Sequence, residues 1–171
     1  MIKIAILGPE STGKTELTRQ LAEYFKAPWV SEYAREYVKK LSRPYTYEDV
    51  CKIAEKQIEL ENQYSNNSTE SFVFFDTELI ITKVWFEYKF KKVPELVTDW
   101  LQHHSFDLYL LCAPDLPWEF DPVREHGDDR DYFFDWYQRE IEQTKKPCVI
   151  VEGIGNQRFQ NTLQALKKQQ F

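Results

Sequence analysis

An apolar run, Ile2-Lys3-Ile4-Ala5-Ile6-Leu7, passes directly into Gly8-Pro9-Glu10-Ser11-Thr12-Gly13-Lys14-Thr15, which opens a segment of helical period from Glu16 to Phe25. No other stretch restricts the fold as tightly. The pattern G-x-x-x-x-G-K-[ST] between a strand and a helix is the sequence form of a phosphate cradle. Gly8 and Gly13 permit positive φ and close approach to a ligand, so successive backbone N–H groups can converge on phosphate oxygens. The helix that follows adds the positive end of its dipole. In such a loop Lys14 is a mobile charge for the outer phosphates, and the Thr15 hydroxyl is placed to ligate Mg²⁺. A glycine turn that binds nothing is the plain alternative.

Downstream, short apolar runs alternate with helix-period segments. Trp29-Val30 reads as a strand, followed by helical spacing from Ser31 to about Leu41. Pro28 is expected to end the helix before it, and Pro44 the one after it. From Thr46, the residues Val50, Ile53, Ala54, Ile58 and Leu60 form a helical stripe, and Thr46 with Asp49 resembles a capping box. That helix is expected to end in a polar loop, Ser65 to Ser71. Phe72 to Phe75 is a continuous apolar strand closed by Asp76. Helices are expected over Thr77 to Lys89, Glu95 to His104, Asp131 to Lys145 and Asn156 to Lys168, with strands at Asp107 to Cys112 and Cys148 to Val151. Five strands alternating with helices predict an α/β fold with a parallel sheet covered on both faces.

Ligands of such sheets gather at the carboxyl ends of the strands, and polar groups recur there. Asp76 could hold a Mg²⁺-bound water or accept a proton; capping the helix at Thr77 is the structural alternative. Glu32 and Glu36 are four residues apart, so on a helix both carboxylates share a face with Arg35 beside them, as a general base or as an exposed ion-paired surface. Glu32 is nearer the strand end. The segment from Asp115 to Asp129 is long, charged and proline-rich, the form of a lid over about 115–130. Arg124 and Arg130 bracket it and could stabilise charge on a transferring phosphoryl group, or merely face solvent among acidic neighbours. Tyr33, Tyr37, Trp85, Tyr88 and Trp118 could stack on a flat ring, although core packing accounts for aromatics equally well.

The chain has 171 residues and a net charge of −6, which disfavours a nucleic-acid or membrane surface as principal partner. Its three cysteines form no C-x-x-C pair, so neither a disulfide framework nor a zinc site is indicated and a reducing cytoplasm is expected. No run approaches the roughly 18 apolar residues of a membrane span, and an untargeted chain without a leader is expected. One domain is expected.

With the loop, Glu32-Tyr33-Ala34-Arg35-Glu36-Tyr37, Phe75-Asp76-Thr77-Glu78 and Trp118 to Arg124 with Gly127 and Arg130, the chain resembles the nicotinamide riboside kinase domain of the NadR family, within the P-loop kinases. The resemblance implies a three-layer fold with a five-stranded parallel sheet in order 2-3-1-4-5, ATP as donor and Mg²⁺ as cofactor. It further implies a nucleoside acceptor, nicotinamide riboside, phosphorylated at its 5′-hydroxyl. Gly8, Glu10, Ser11, Thr12, Gly13, Lys14 and Thr15 would bind ATP, with Asn156 and the turn from Gly153 near adenine. Lys14, Glu32, Asp76, Arg124 and Arg130 would be catalytic, with Glu32 as base. Glu32, Tyr33, Arg35, Glu36, Asp76 and Trp85 would contact the acceptor, and Thr15 with Asp76 the metal. Two features depart from the family. Members are often fused to an adenylyltransferase domain; none is expected within 171 residues, so the product would pass to a separate enzyme. Glu78 stands where an aspartate is expected, a longer side chain that could shift the pocket. Another nucleoside or nucleotide kinase, or an ATP-binding sensor without turnover, fits the same motifs.

Overall fold

The computed structural model describes residues 1–67, 71–119 and 129–171. Its first strand, β1 (Ile2–Leu7), leads through the glycine loop to α1 (Lys14–Phe25), and β2 (Trp29–Val30) precedes α2 (Tyr33–Lys39) and α3 (Tyr47–Asn67). Next come β3 (Phe72–Asp76), α4 (Leu79–Phe90), α5 (Glu95–His103) and β4 (Leu108–Cys112). The described chain closes with α6 (Arg130–Gln143), β5 (Cys148–Val151) and α7 (Asn156–Lys168). The strands form one parallel five-stranded sheet in the expected order, β2-β3-β1-β4-β5.

Alternation along each central strand divides the core into two layers, because successive side chains of a strand point to opposite faces. Ile4 and Ile6 of β1, Phe74 of β3, and Leu108 and Leu110 of β4 pack with Leu17 and Leu21 of α1 and Leu163 and Leu166 of α7. Ala5, Leu7, Val73, Phe75 and Leu111 face the other way, onto Ile80 and Val84 of α4 and Phe133, Tyr137 and Ile141 of α6. Each large aliphatic side chain so buried contributes roughly 1.5–3 kcal/mol. A third cluster, Val50 and Ala54 of α3 with Leu79 and Phe86 of α4 and Val97 of α5, packs these three helices together.

The capping box forms as expected: the Thr46 backbone N–H donates to Asp49 Oδ2 at 2.8 Å, and the Asp49 N–H to Thr46 Oγ1 at 3.4 Å. Three boundaries depart from expectation. Helix α1 ends at Phe25 because Lys26 takes a left-handed conformation (φ 51°) whose N–H closes onto Ala22 and Glu23 carbonyls, two residues before Pro28 could act. Helix α3 runs through Ser65 to Asn67, where polar composition suggested a loop. Helix α2 starts at Tyr33, so Glu32 is its extended N-cap and not a helical residue. Among the described residues, no helix is long and apolar enough to cross a membrane.

The sheet order sets the place of the site. From β1 the chain builds β3 on one side and β4 on the other, so a crevice opens at the carboxyl end of β1. Register then puts Asp76 opposite Ile6, and Leu111 opposite Leu7, at the base of the glycine loop.

Candidate active site

Gly8 has φ 149°, and a Cβ there would meet the Cys112 carbonyl oxygen at 2.7 Å and Thr12 Oγ1 at 2.8 Å. No side chain fits at that position, whatever its backbone preference. Gly13 (φ 73°) is the N-cap of α1, and among the described residues no side-chain cap hydrogen bond forms at this terminus, whose N–H groups can face a ligand. Within the loop the buried Thr12 hydroxyl donates to the Pro9 carbonyl at 2.8 Å. The Lys14 ammonium folds back to the carbonyls of Gly8 (2.8 Å) and Pro9 (2.9 Å), lying across the cradle it would serve.

Thr15 Oγ1 donates to Asp76 Oδ2 at 2.5 Å, so the hydroxyl of the first helical turn and the carboxylate of β3 meet. Asp76 is 2% exposed, its second oxygen Oδ1 has no hydrogen-bond partner among the described residues, and burial raises its pKa against the pull of Thr15, Lys14 and Arg35. A buried carboxylate oxygen left over beside a hydroxyl suits Mg²⁺, which keeps most of its own waters and takes few protein ligands. Asp76 therefore lies beneath the phosphate loop and is absent from the lining of the main cleft.

Thr77, buried and at φ 82°, holds a conformation that a β-branched residue rarely adopts, and it turns the chain from β3 toward α4. Glu78 points away from the main cleft into a cavity of about 20 Å³ shared with Gln57 and Glu61. Burial pushes the Glu78 carboxyl up to about 8. Glu78, whose longer side chain could shift the pocket, does not itself line the main cleft.

The main cleft, about 350 Å³, runs from the phosphate loop to an aromatic chamber. Glu10, Ser11, Thr12, Gly13, Lys14 and Thr15 line one part; Glu32, Arg35, Val38, Tyr45, Ile81, Trp85, Tyr88, Phe133 and Tyr137 line the rest. The Trp85 indole N–H donates to the Tyr45 hydroxyl at 3.1 Å, with the rings edge-on at 4.9 Å. Burial raises the Glu32 pKa, while the charges of Lys14 and Arg35 lower it and those of Asp76 and Glu10 raise it further. All four groups are thus within electrostatic reach of one carboxyl. The Glu32 side chain makes no cap hydrogen bond to α2.

Other candidates lie elsewhere. Tyr33 and Glu36 do not line the cleft; Glu36 is exposed, and Tyr33 packs on Tyr37 with ring centroids 5.9 Å apart. The expected shared face of Glu32 and Glu36 fails because the helix begins one residue after Glu32. Asn156 is exposed at the start of α7, outside the cleft lining. The Arg130 guanidinium donates to the Leu116 carbonyl at 2.7 Å, which ties α6 to the start of the candidate lid. Arg124 lies outside the described residues, as does most of that lid.

The sequence profile of a family described as an AAA domain, AAA_28, matches residues 3–158. The chain belongs to the AAA_28 family. This AAA_28 chain is homologous to the trifunctional NAD biosynthesis/regulator protein NadR of Escherichia coli (strain K12), with 29% identity over 159 residues. The match covers 87% of the chain and 38% of NadR, so the chain spans well under half of that curated relative. A crystal structure of NadR protein in complex with NR superposes with a TM-score of 0.80 at 23% identity, over 98% of this chain and 50% of the other. Thymidylate kinase from Ehrlichia chaffeensis superposes at 0.70 with 13% identity, over 96% and 98% of the two chains. The AAA_28 chain therefore has the fold of the P-loop kinases.

Sequence reading had not placed Tyr45, Ile81, Phe133 and Tyr137 of this AAA_28 domain in the cleft. They arrive from three separate segments; Phe133 and Tyr137 share one face of α6, but no spacing links that pair to Tyr45 or Ile81. It also passed over Arg158, whose position in the α7 stripe looked like any polar residue of an amphipathic helix. The one available signal was its place just after the Gly153-Ile154-Gly155 turn.

Proposed function

We propose that this chain transfers the γ-phosphoryl group of ATP to the 5′-hydroxyl of nicotinamide riboside, giving nicotinamide mononucleotide. One observation carries the proposal: a single cleft joins the phosphate loop to an aromatic chamber and has the Glu32 carboxyl in its wall. Glu32 would accept the proton of the attacking hydroxyl, and burial moves it in the right direction, since a base works best with a pKa raised toward the operating pH. Lys14 would leave the Gly8 and Pro9 carbonyls for the outer phosphates. Thr15 and Asp76 would hold Mg²⁺, which when bound neutralises phosphate charge. Trp85, braced by Tyr45, would stack on the flat base of the acceptor.

Arg43 favours a nucleoside over a nucleotide acceptor. A phosphate on the acceptor calls for several arginines near the second strand; of Arg35 and Arg43 there, Arg43 is committed in both guanidinium branches to Asp49, at 2.6 and 3.0 Å, which leaves Arg35 in the cleft wall. NadR, described as a NAD biosynthesis protein and crystallised with NR, supports this acceptor for its homologue.

The test is incubation with ATP, Mg²⁺ and a nucleoside panel that includes nicotinamide riboside, followed by mass detection of products. Phosphorylated nicotinamide riboside is the expected product. ATP binding without any product would replace the kinase by a nucleotide sensor, and product from a different nucleoside would replace the acceptor.

A further inference from the structure

Arg158, on the first turn of α7, is 4% exposed and has no place in the chemistry described so far. A guanidinium carries five N–H donors in a fixed fork, and here each finds an acceptor. Nε donates to the Gly153 carbonyl at 2.8 Å. One terminal nitrogen donates to the carbonyls of Thr12 (3.1 Å) and Val151 (3.4 Å). The other donates to the Ala113 carbonyl (3.2 Å) and to Asp115 Oδ1. The remaining Asp115 oxygen accepts the Gly153 N–H at 2.7 Å. One side chain thereby binds the phosphate loop, the ends of β4 and β5, and the turn before α7.

We propose that Arg158, anchored by Asp115, is a positioning residue that holds the phosphate loop and the turn after β5 in one geometry suited to a bound nucleotide. It would touch no substrate itself. The Thr12 carbonyl belongs to the peptide that leads into Gly13, so its direction sets the direction of the Gly13 N–H, one of the donors of the cradle. Lysine cannot replace the arginine, because an ammonium has three donors and no planar fork. The proposal rests on nucleotide binding at residues 8–15 and not on the identity of the acceptor.

Direct titration with ATP and Mg²⁺ tests it, in the intact chain and in Arg158→Lys, Asp115→Asn and Leu163→Ala, each with its melting temperature. Leu163 is buried on the same helix in the apolar layer, so its truncation reports a purely structural loss. Arg158→Lys should weaken ATP binding on the order of tenfold or more, and Asp115→Asn by a smaller factor in the same direction. Leu163→Ala should lower the melting temperature with ATP affinity unchanged, and acceptor affinity should be unchanged in all three. If Arg158→Lys and Asp115→Asn bind ATP as the intact chain does, or lose affinity only as Leu163→Ala does, the proposal is wrong. Should Arg158→Lys not fold, Asp115→Asn decides alone by the same comparison. An intact chain that binds ATP but phosphorylates nothing refutes the kinase and leaves this comparison standing; one that does not bind ATP overturns both.

Discussion

The Thr15 hydroxyl and the Asp76 carboxylate meet at 2.5 Å, joining the first turn of α1 to the carboxyl end of β3 across 61 residues of sequence. This contact exists because β1 and β3 are parallel neighbours in a register that sets Asp76 opposite Ile6. The loop that follows β1 and the acid that ends β3 are thus delivered to the same crevice. Asp76→Asn keeps an acceptor for Thr15 but removes the charge that would attract Mg²⁺. Turnover should fall about 10²-fold or more, with a higher Mg²⁺ concentration at half-maximal rate. Steady-state rates across a magnesium series check this, and an unchanged magnesium dependence would remove Asp76 from the metal site.

Glu32→Gln separates chemistry from binding. As the proposed proton acceptor, Glu32 should cost about 10² to 10⁴ in kcat when neutralised, while ATP affinity stays close to that of the intact chain. Rates paired with ATP titration decide the matter. Full turnover in the variant would leave the base to another group.

Trp85 lines the chamber and holds Tyr45 by a hydrogen bond of 3.1 Å. Trp85→Ala removes a stacking face worth about 0.5–1.5 kcal/mol, so the acceptor KM should rise by roughly a few-fold to tenfold with the ATP KM unchanged. Trp85→Phe should recover most of the loss. Equal rises in both KM values would point to collapse of the chamber wall.

Asp49 gives a stability test remote from the chemistry. Both guanidinium branches of Arg43, the Thr46 backbone N–H and the Tyr37 hydroxyl all bond to its carboxylate. The Arg43 guanidinium, chief among these, holds the Asp49 pKa well below its ordinary 3.8. A carboxyl depressed in the folded state stabilises the fold above the unfolded pKa, and that contribution is lost as pH falls through the folded value. Asp49→Asn should therefore lower the melting temperature at pH 7 and narrow the gap between pH 6 and pH 3. Thermal melts at the three pH values check both effects; an undiminished gap would assign the acid sensitivity to other carboxylates.

Much of this architecture was legible because its signals are local. The period of α7 and the turn before it predict Asn156–Lys168, as observed, and the apolar run with its closing acid predicts β3. Glu32 was singled out for its position after a strand, and it lines the main cleft. Its supposed partnership with Glu36 failed, since a one-residue shift of the helix start moves a side chain from a helical face to a cap. Helix α3 outran its polar signals, because backbone hydrogen bonding continues through residues whose composition suits a loop.

By itself the sequence determined the strand–loop–helix unit, the parallel sheet and the acids at strand ends, all of which follow from spacing within a few residues. Tertiary structure alone decided which of these groups meet. It placed Asp76 under Thr15, turned Glu78 away from the cleft, took Tyr45 and Tyr137 from distant segments into one chamber, and filled all five donors of Arg158. The reason is physical: periodicity states which face of an element is apolar, but the neighbour of a buried polar group is chosen by strand register and helix packing, which join residues far apart in the chain.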